Sequence, residues 1–211
     1  MSLLSEIGDK MVEGNVEDLI ILIDKAQAEG IDQKTIINDG LIAAMMSLGE
    51  KFKLNEVFIP DVLVAAAAMK EAINSLGFNN VSDTVEPKGI IVIGTVRNDM
   101  HDIGKNLVAL LLNSSGFQVH DLGVDVTPDK FVEAVKNYKP DILALSALLT
   151  TTLPEMEEVI GVLNDEGIRD GTRVLVGGAP VTEGYADSIG ADGYAPDATS
   201  AATKALEMIN R

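Results

Sequence analysis

Residues 96–106, VRNDMHDIGKN, contain one of only two histidines in the chain, His101, set between Asp99 and Asp102. A neutral imidazole is a good metal ligand, and its second nitrogen needs a partner to fix tautomer and basicity; Asp99, two residues away, is suited to that role. One histidine cannot hold a bare metal ion, but it can supply one axial bond to a metal already held by a macrocycle. The plainer alternative is a polar loop histidine with its needs met locally. Two further stretches carry groups that could act on the same ligand: SALLTTT, residues 146–152, rich in hydroxyls, and the pair Gly177-Gly178. His120, next to Asp121 at the end of an apolar run, reads as a surface or loop histidine.

These groups need elements to hold them. Residues 90–96 form a short β-branched run, with a helical stretch over 104–115 after it. Further strands are expected over 118–122, 141–147, 173–177 and near Gly193. The helices between and after them cover 128–138, opened by Thr127 with Pro128 at its first position, then 153–166, 183–189 and 199–210. Strands alternating with helices of about a dozen residues predict an α/β domain with a parallel sheet covered on both faces, and five such units suit the flavodoxin/Rossmann-like order 2-1-3-4-5. Ligands then sit beyond the carboxyl ends of the strands, where the loops after strands one, three and four should line one pocket.

Residues 1 to about 78 read as helices only. Ser2, Asn15 and Asp32 can cap the first three. Ile37, Leu41, Met45, Leu48 and Phe52 share one face of the third, and Val62, Ala66, Met69, Ile73 and Leu76 one face of a fourth that starts near Pro60. The expected organisation is a four-helix bundle cap over 1–80, a polar linker over 81–88 and the sheet domain over 89–211.

Composition narrows the chemistry. The chain has 211 residues and no cysteine, which removes disulfides, thiolate metal sites and cysteine nucleophiles. The net charge of −17 argues against nucleic acid as a partner and otherwise serves solubility. No run of 18 apolar residues predicts a membrane span, and the N-terminus reads as mature and cytoplasmic. A dinucleotide site would need G-x-G-x-x-G after the first strand, where only Gly104 stands. A phosphoacceptor aspartate at the end of strand three is replaced by Ser146. FMN stays open, because hydroxyl-rich loops hold phosphates, although the acidic first loop weighs against it.

Asp99-x-His101-x-x-Gly104, then 41 residues, then Ser146-x-Leu148, then 28 residues, then Gly177-Gly178, resembles the cobalamin-binding signature. That signature is shared by methionine synthase, the B12-dependent mutases and the corrinoid proteins of anaerobic methyl transfer. The helical half is similar to the four-helix cap that precedes this domain in methionine synthase and in the methyl-carrying corrinoid proteins, and the ending GADGYAPDA resembles the family's last strand and loop.

The resemblance implies that His101 binds cobalt from below, displacing the cofactor's own base, with Asp99 hydrogen-bonding the imidazole and Thr152 completing a relay. It implies contacts to the cofactor from Met100, Asp102 and Ile103 in the same loop. Gly104, Gly177 and Gly178 would leave room for the nucleotide tail. Ser146, Leu148 and Thr150 would contact it, and a loop at Tyr194, Ala195 and Pro196 would close its slot. In the cap, Phe52, Phe58 and Met69 are candidates to shield the upper face, although for any single one of them ordinary bundle core is the favoured reading. The implied function is a carrier that shuttles a methyl group on cobalamin between a substrate-specific methyltransferase and an acceptor methyltransferase, with a reductive activase as a further partner. The alternative is a B12-binding sensor. Against it, the light-sensing regulators of the family carry a tryptophan in the cap and a DNA-binding domain, and this chain has no tryptophan.

Overall fold

The computed structural model describes residues 2–78 and 87–210. Most of the expected linker, residues 81–86, lies outside them. The chain divides into two compact units, the first running to Pro87 and counting Asn113–Gly116 with it, the second made of Lys88–Leu112 and the residues from Phe117 on.

The first unit is helical. α1 (Leu3–Glu13) is capped by Ser2, whose Oγ accepts the Ser5 amide, and is closed by left-handed Gly14. α2 (Val16–Ala28) is capped in the same way by Asn15. Asp32 caps α3 (Gln33–Thr35), which runs without a break into a π segment (Ile36–Ile42) and then α4 (Ala43–Lys53). The π segment departs from the expected α-helical face. Ile37, Leu41, Met45 and Leu48 are buried as their spacing predicts, and the wider turn also buries Ile36 and Ile42. α1 crosses this helix closely, for a Cβ on Gly8 would lie 2.7 Å from the Ala44 Cβ. α5 (Ile59–Ser75) begins where the Phe58 amide donates to Asp61 Oδ2, and it buries Val62, Ala66, Met69 and Ile73.

The second unit is a five-stranded parallel sheet of order β2-β1-β3-β4-β5, the order expected from the sequence. Its strands are β1 (Ile90–Thr95), β2 (Gln118–Asp121), β3 (Ile142–Ser146), β4 (Arg173–Gly177) and β5 (Gly193–Ala195). Its helices are α6 (Ile103–Ser114), α7 (Pro128–Tyr138), α8 (Leu153–Asp165), α9 (Glu183–Ser188) and α10 (Ala198–Ile209). On one face Val92, Leu143, Leu145, Val174 and Val176 pack with Phe131 of α7 and Met156, Val159 and Leu163 of α8. Gly94 makes this packing possible, because a Cβ there would come within 2.8 Å of the Phe131 ring. His120 sits in β2 with its ring stacked on Tyr138 at 3.9 Å, so its aromatic face is spent on packing.

Register decides what reaches the carboxyl end together. Thr95 pairs with Ser146, Ser146 with Gly177, and Gly177 with Ala195, so these four residues form one row across the end of the sheet.

Candidate cofactor site

The loop from Val96 to Asp102 leaves that row beside Thr95. Its centre is Asp99, fully buried and surrounded by donors. Oδ2 accepts the amides of Leu148 (2.7 Å) and Leu149 (3.3 Å) and the hydroxyl of Thr152 (2.9 Å). Oδ1 accepts the amide of His101 (3.1 Å) and lies 2.7 Å from its Nδ1. Burial alone would push the Asp99 carboxyl up; the Leu148 amide, both His101 groups and Thr152 outweigh it and hold the pKa at about 2. The carboxylate is therefore charged at neutral pH, which places the imidazole proton on Nδ1 and leaves the Nε2 lone pair for a ligand.

His101 is also fixed through its backbone, since the buried Thr95 hydroxyl donates to its carbonyl at 2.9 Å. The imidazole itself is half exposed. Around it stand apolar side chains open to solvent: Met100, Ile103, Leu148 and Leu149, the first two 69% and 80% exposed. Exposed apolar groups beside a polarised imidazole suit a flat apolar ligand bearing a metal at its centre. Among the described residues no three His, Asp or Glu side chains are grouped to hold a free metal ion. On these observations a corrin with one histidine ligand fits the residues present.

The neighbouring residues divide. Ser146 is half-buried and Thr150 exposed, and among the described residues neither hydroxyl has a protein partner. Asp102 is exposed and accepts from the Asn106 side chain at 3.1 Å. A Cβ on Gly104 would meet nothing within 4 Å, so the protein's own packing does not require glycine there. Gly177 and Gly178 are required by the protein's own packing. A Cβ on Gly178, at φ 130°, would strike the Ala147 carbonyl, and one on Gly177 would lie 2.9 Å from the Ala195 carbonyl. These two glycines let the ends of β3, β4 and β5 approach one another. Tyr194 and Ala195 belong to β5 rather than to a loop. Tyr194 packs on the core and Ala195 is buried, which leaves only Pro196 exposed beyond the strand. In the helical unit Met69 is 2% exposed and is core, Phe52 is half-buried, and Phe58 stands 65% exposed at the start of α5.

Sequence reasoning missed Thr95, Arg97, Asn98 and Asp125. Arg97 Nη2 reaches Glu155 at 2.8 Å and Glu158 at 2.6 Å, tying the loop to α8, the helix that Thr152 precedes. Asn98 offered a signal, because asparagine is among the few residues that enter the left-handed region at modest cost.

Known proteins align with this arrangement over its whole length. Residues 89–203 match the family described as B12 binding domain, and residues 3–76 match a second family of the same description. Dimethylamine corrinoid protein 1 of Methanosarcina acetivorans is 41% identical over 208 residues, 98% of this chain and 97% of that one. A solved cobalamin-binding protein from Desulfitobacterium hafniense superposes with a TM-score of 0.80 at 31% identity, covering 97% of this chain and 98% of that one. A chain of the methanol:cobalamin methyltransferase complex of Methanosarcina barkeri gives 0.85 at 32% identity, covering 99% and 80%. The chain belongs to the B12-binding corrinoid proteins, and its cofactor is a cobalamin or a related corrinoid.

Proposed function

We propose that this protein carries a methyl group on its corrinoid, holding the cofactor with the nucleotide base displaced and the imidazole of His101 as lower axial ligand. The observation behind this reading is the Asp99–His101 pair, in which a buried, charged carboxylate is spent on one face of a half-exposed imidazole. When bound, the corrinoid supplies the chemistry, its cobalt accepting a methyl group from one partner and releasing it to another.

The protein's residues hold and tune. Asp99 keeps the proton on Nδ1 and so turns the Nε2 lone pair to the ligand; Thr152 and the Leu148 and Leu149 amides hold Asp99. Met100, Ile103, Leu148 and Leu149 keep water from the lower face of the ring. The open space at Gly104 and the unengaged hydroxyls of Ser146 and Thr150 suit the displaced nucleotide.

The partners of this reading are a substrate-specific methyltransferase, an acceptor methyltransferase that passes the methyl group to a thiol or tetrahydrofolate-type acceptor, and a reductive activase. A methylated amine is favoured as donor over methanol or an aryl methyl ether. Relatives named for dimethylamine reach 42% identity over nearly the whole chain, and the superposed chain of the methanol system is 32% identical. Among the described residues no helix is long and apolar enough to cross a membrane.

The test is reconstitution with methylcobalamin and comparison of visible spectra for wild type and His101→Ala. Wild type should lose the signature of the free cofactor's own base and gain a histidine-ligated one. An unchanged spectrum and affinity in the variant would remove the ligand assignment. Supplying the reduced holoprotein with dimethylamine or methanol methyltransferase then tests the donor, and transfer from methanol alone would overturn the amine.

A further inference from the structure

Of the four non-glycine residues with positive φ among those described, two face each other beside the ligand loop: Asn98 at φ 64° and Asp125 at φ 54°. Left-handed backbone is open to few residues besides glycine, asparagine and aspartate chief among them, so the two residue types suit the two turns. Here the two are joined. The Asn98 amide donates to Asp125 Oδ1 at 2.7 Å, and the Asp125 amide donates to the Asp99 carbonyl at 3.0 Å. One residue thus grips two consecutive residues of the ligand loop, from both its side chain and its backbone.

The loop that carries Asp125 is itself anchored to β1. The Thr95 amide donates to the Gly123 carbonyl, the Val126 amide donates to the Thr95 carbonyl, and Val96 and Val126 form an isolated parallel bridge. Asp125 is exposed on its outer side, so burial does not account for an aspartate there. β3 and α8 fix the other side of Asp99 through Leu148, Leu149 and Thr152. Without the Asp125 carboxylate the Asn98 amide would lose its acceptor, and the left-handed turn that leads into Asp99 would rest on main-chain bonds alone, the Asp99 amide to the Val96 carbonyl and the Asp125 amide to the Asp99 carbonyl.

We infer that Asp125, on the loop between β2 and α7, is a positioning residue for the lower ligand, clamping Asn98 and Asp99 so that the Asp99 carboxylate stands at the imidazole. This rests on the reading of His101 as axial ligand. Asp125→Asn keeps an acceptor and tolerates the left-handed backbone. Asp125→Gly keeps the backbone and relieves its strain but removes the acceptor. Asp125→Ala removes both.

Each variant is reconstituted with methylcobalamin beside wild type and His101→Ala; the visible spectrum and affinity are measured, with the melting temperature of the cofactor-free protein as the folding control. Asp125→Asn should match wild type. Asp125→Gly, folded by that control, should bind about tenfold more weakly and shift toward the His101→Ala spectrum; Asp125→Ala should do so at least as strongly. Wild-type spectra and affinities in the glycine and alanine variants would overturn the inference while leaving the ligand assignment intact. Identical spectra for wild type and His101→Ala would instead overturn the assignment on which it rests.

Discussion

Asp99 accepts five hydrogen bonds on two oxygens in a fully buried position. An asparagine can accept on one oxygen only, so Asp99→Asn sets an NH2 group against either the Leu148, Leu149 and Thr152 donors or those of His101. We expect a loss of about 1–3 kcal/mol, read as a lower melting temperature of the cofactor-free protein. The charge has its own signature. Because the folded pKa is depressed to about 2, the carboxylate contributes stability above its unfolded value near 4, and that contribution is lost as pH falls through 2. Acid unfolding followed by circular dichroism should therefore depend more weakly on pH between about 4 and 2 in Asp99→Asn than in wild type. Thr152 separates hydroxyl from shape: Thr152→Ser should be nearly neutral, and Thr152→Val should cost about 1 kcal/mol by taking one donor from Oδ2. A valine as stable as wild type would show that the buried carboxylate does not depend on this hydroxyl.

At the scale of elements, much was legible. Hydrophobic period and punctuation placed the strands and helices of the sheet unit to within a residue or two, because β1, β3 and β4 are short apolar runs and turn residues separate the elements. The π segment was not legible, since Ile37, Leu41 and Met45 satisfy an ordinary helical face; within it Gly40 lies close to Ile7 and Leu4 of α1. At the site, the pairing of Asp99 with His101 is suggested by their closeness in sequence, and Thr152 enters only through the family resemblance. The clamp through Asn98 and Asp125 could not be read, since it depends on two backbone conformations meeting across 27 residues. The glycines show the same divide. Gly178 meets the Ala147 carbonyl and has φ 130°, so Gly178→Ala should destabilise severely or abolish folding. Gly104 meets nothing, so Gly104→Ala should stabilise the cofactor-free protein by up to about 1 kcal/mol through helix propensity. If the space is kept for the nucleotide, the same variant should bind methylcobalamin more weakly; tighter binding together with higher stability would show that the glycine serves neither purpose.

At the scale of the whole molecule, charge sets the balance. Thirty-three acidic residues face sixteen basic ones, a net charge of −17. Two effects of salt then compete. Salt screens the repulsion among unpaired carboxylates, which stabilises the folded chain, and it weakens surface ion pairs, which destabilises it. Lys10–Glu13, Lys136–Glu166 and Lys204–Glu207 are substantially exposed, and such pairs contribute little because water and salt screen them. Lys105–Asp121 has its lysine side chain 2% exposed and is shielded from salt by burial. Repulsion acts between every pair of excess charges, and at 10 mM salt the screening length of roughly 30 Å spans a domain of this size. It should win, so the melting temperature at pH 7 should rise between 10 mM and 0.5 M sodium chloride, by about 2–4 °C for each kcal/mol of repulsion removed. A fall over the same range would show that the ion pairs, Arg97 with Glu155 and Glu158 at the ligand loop among them, carry more of the stability than the excess of carboxylates removes.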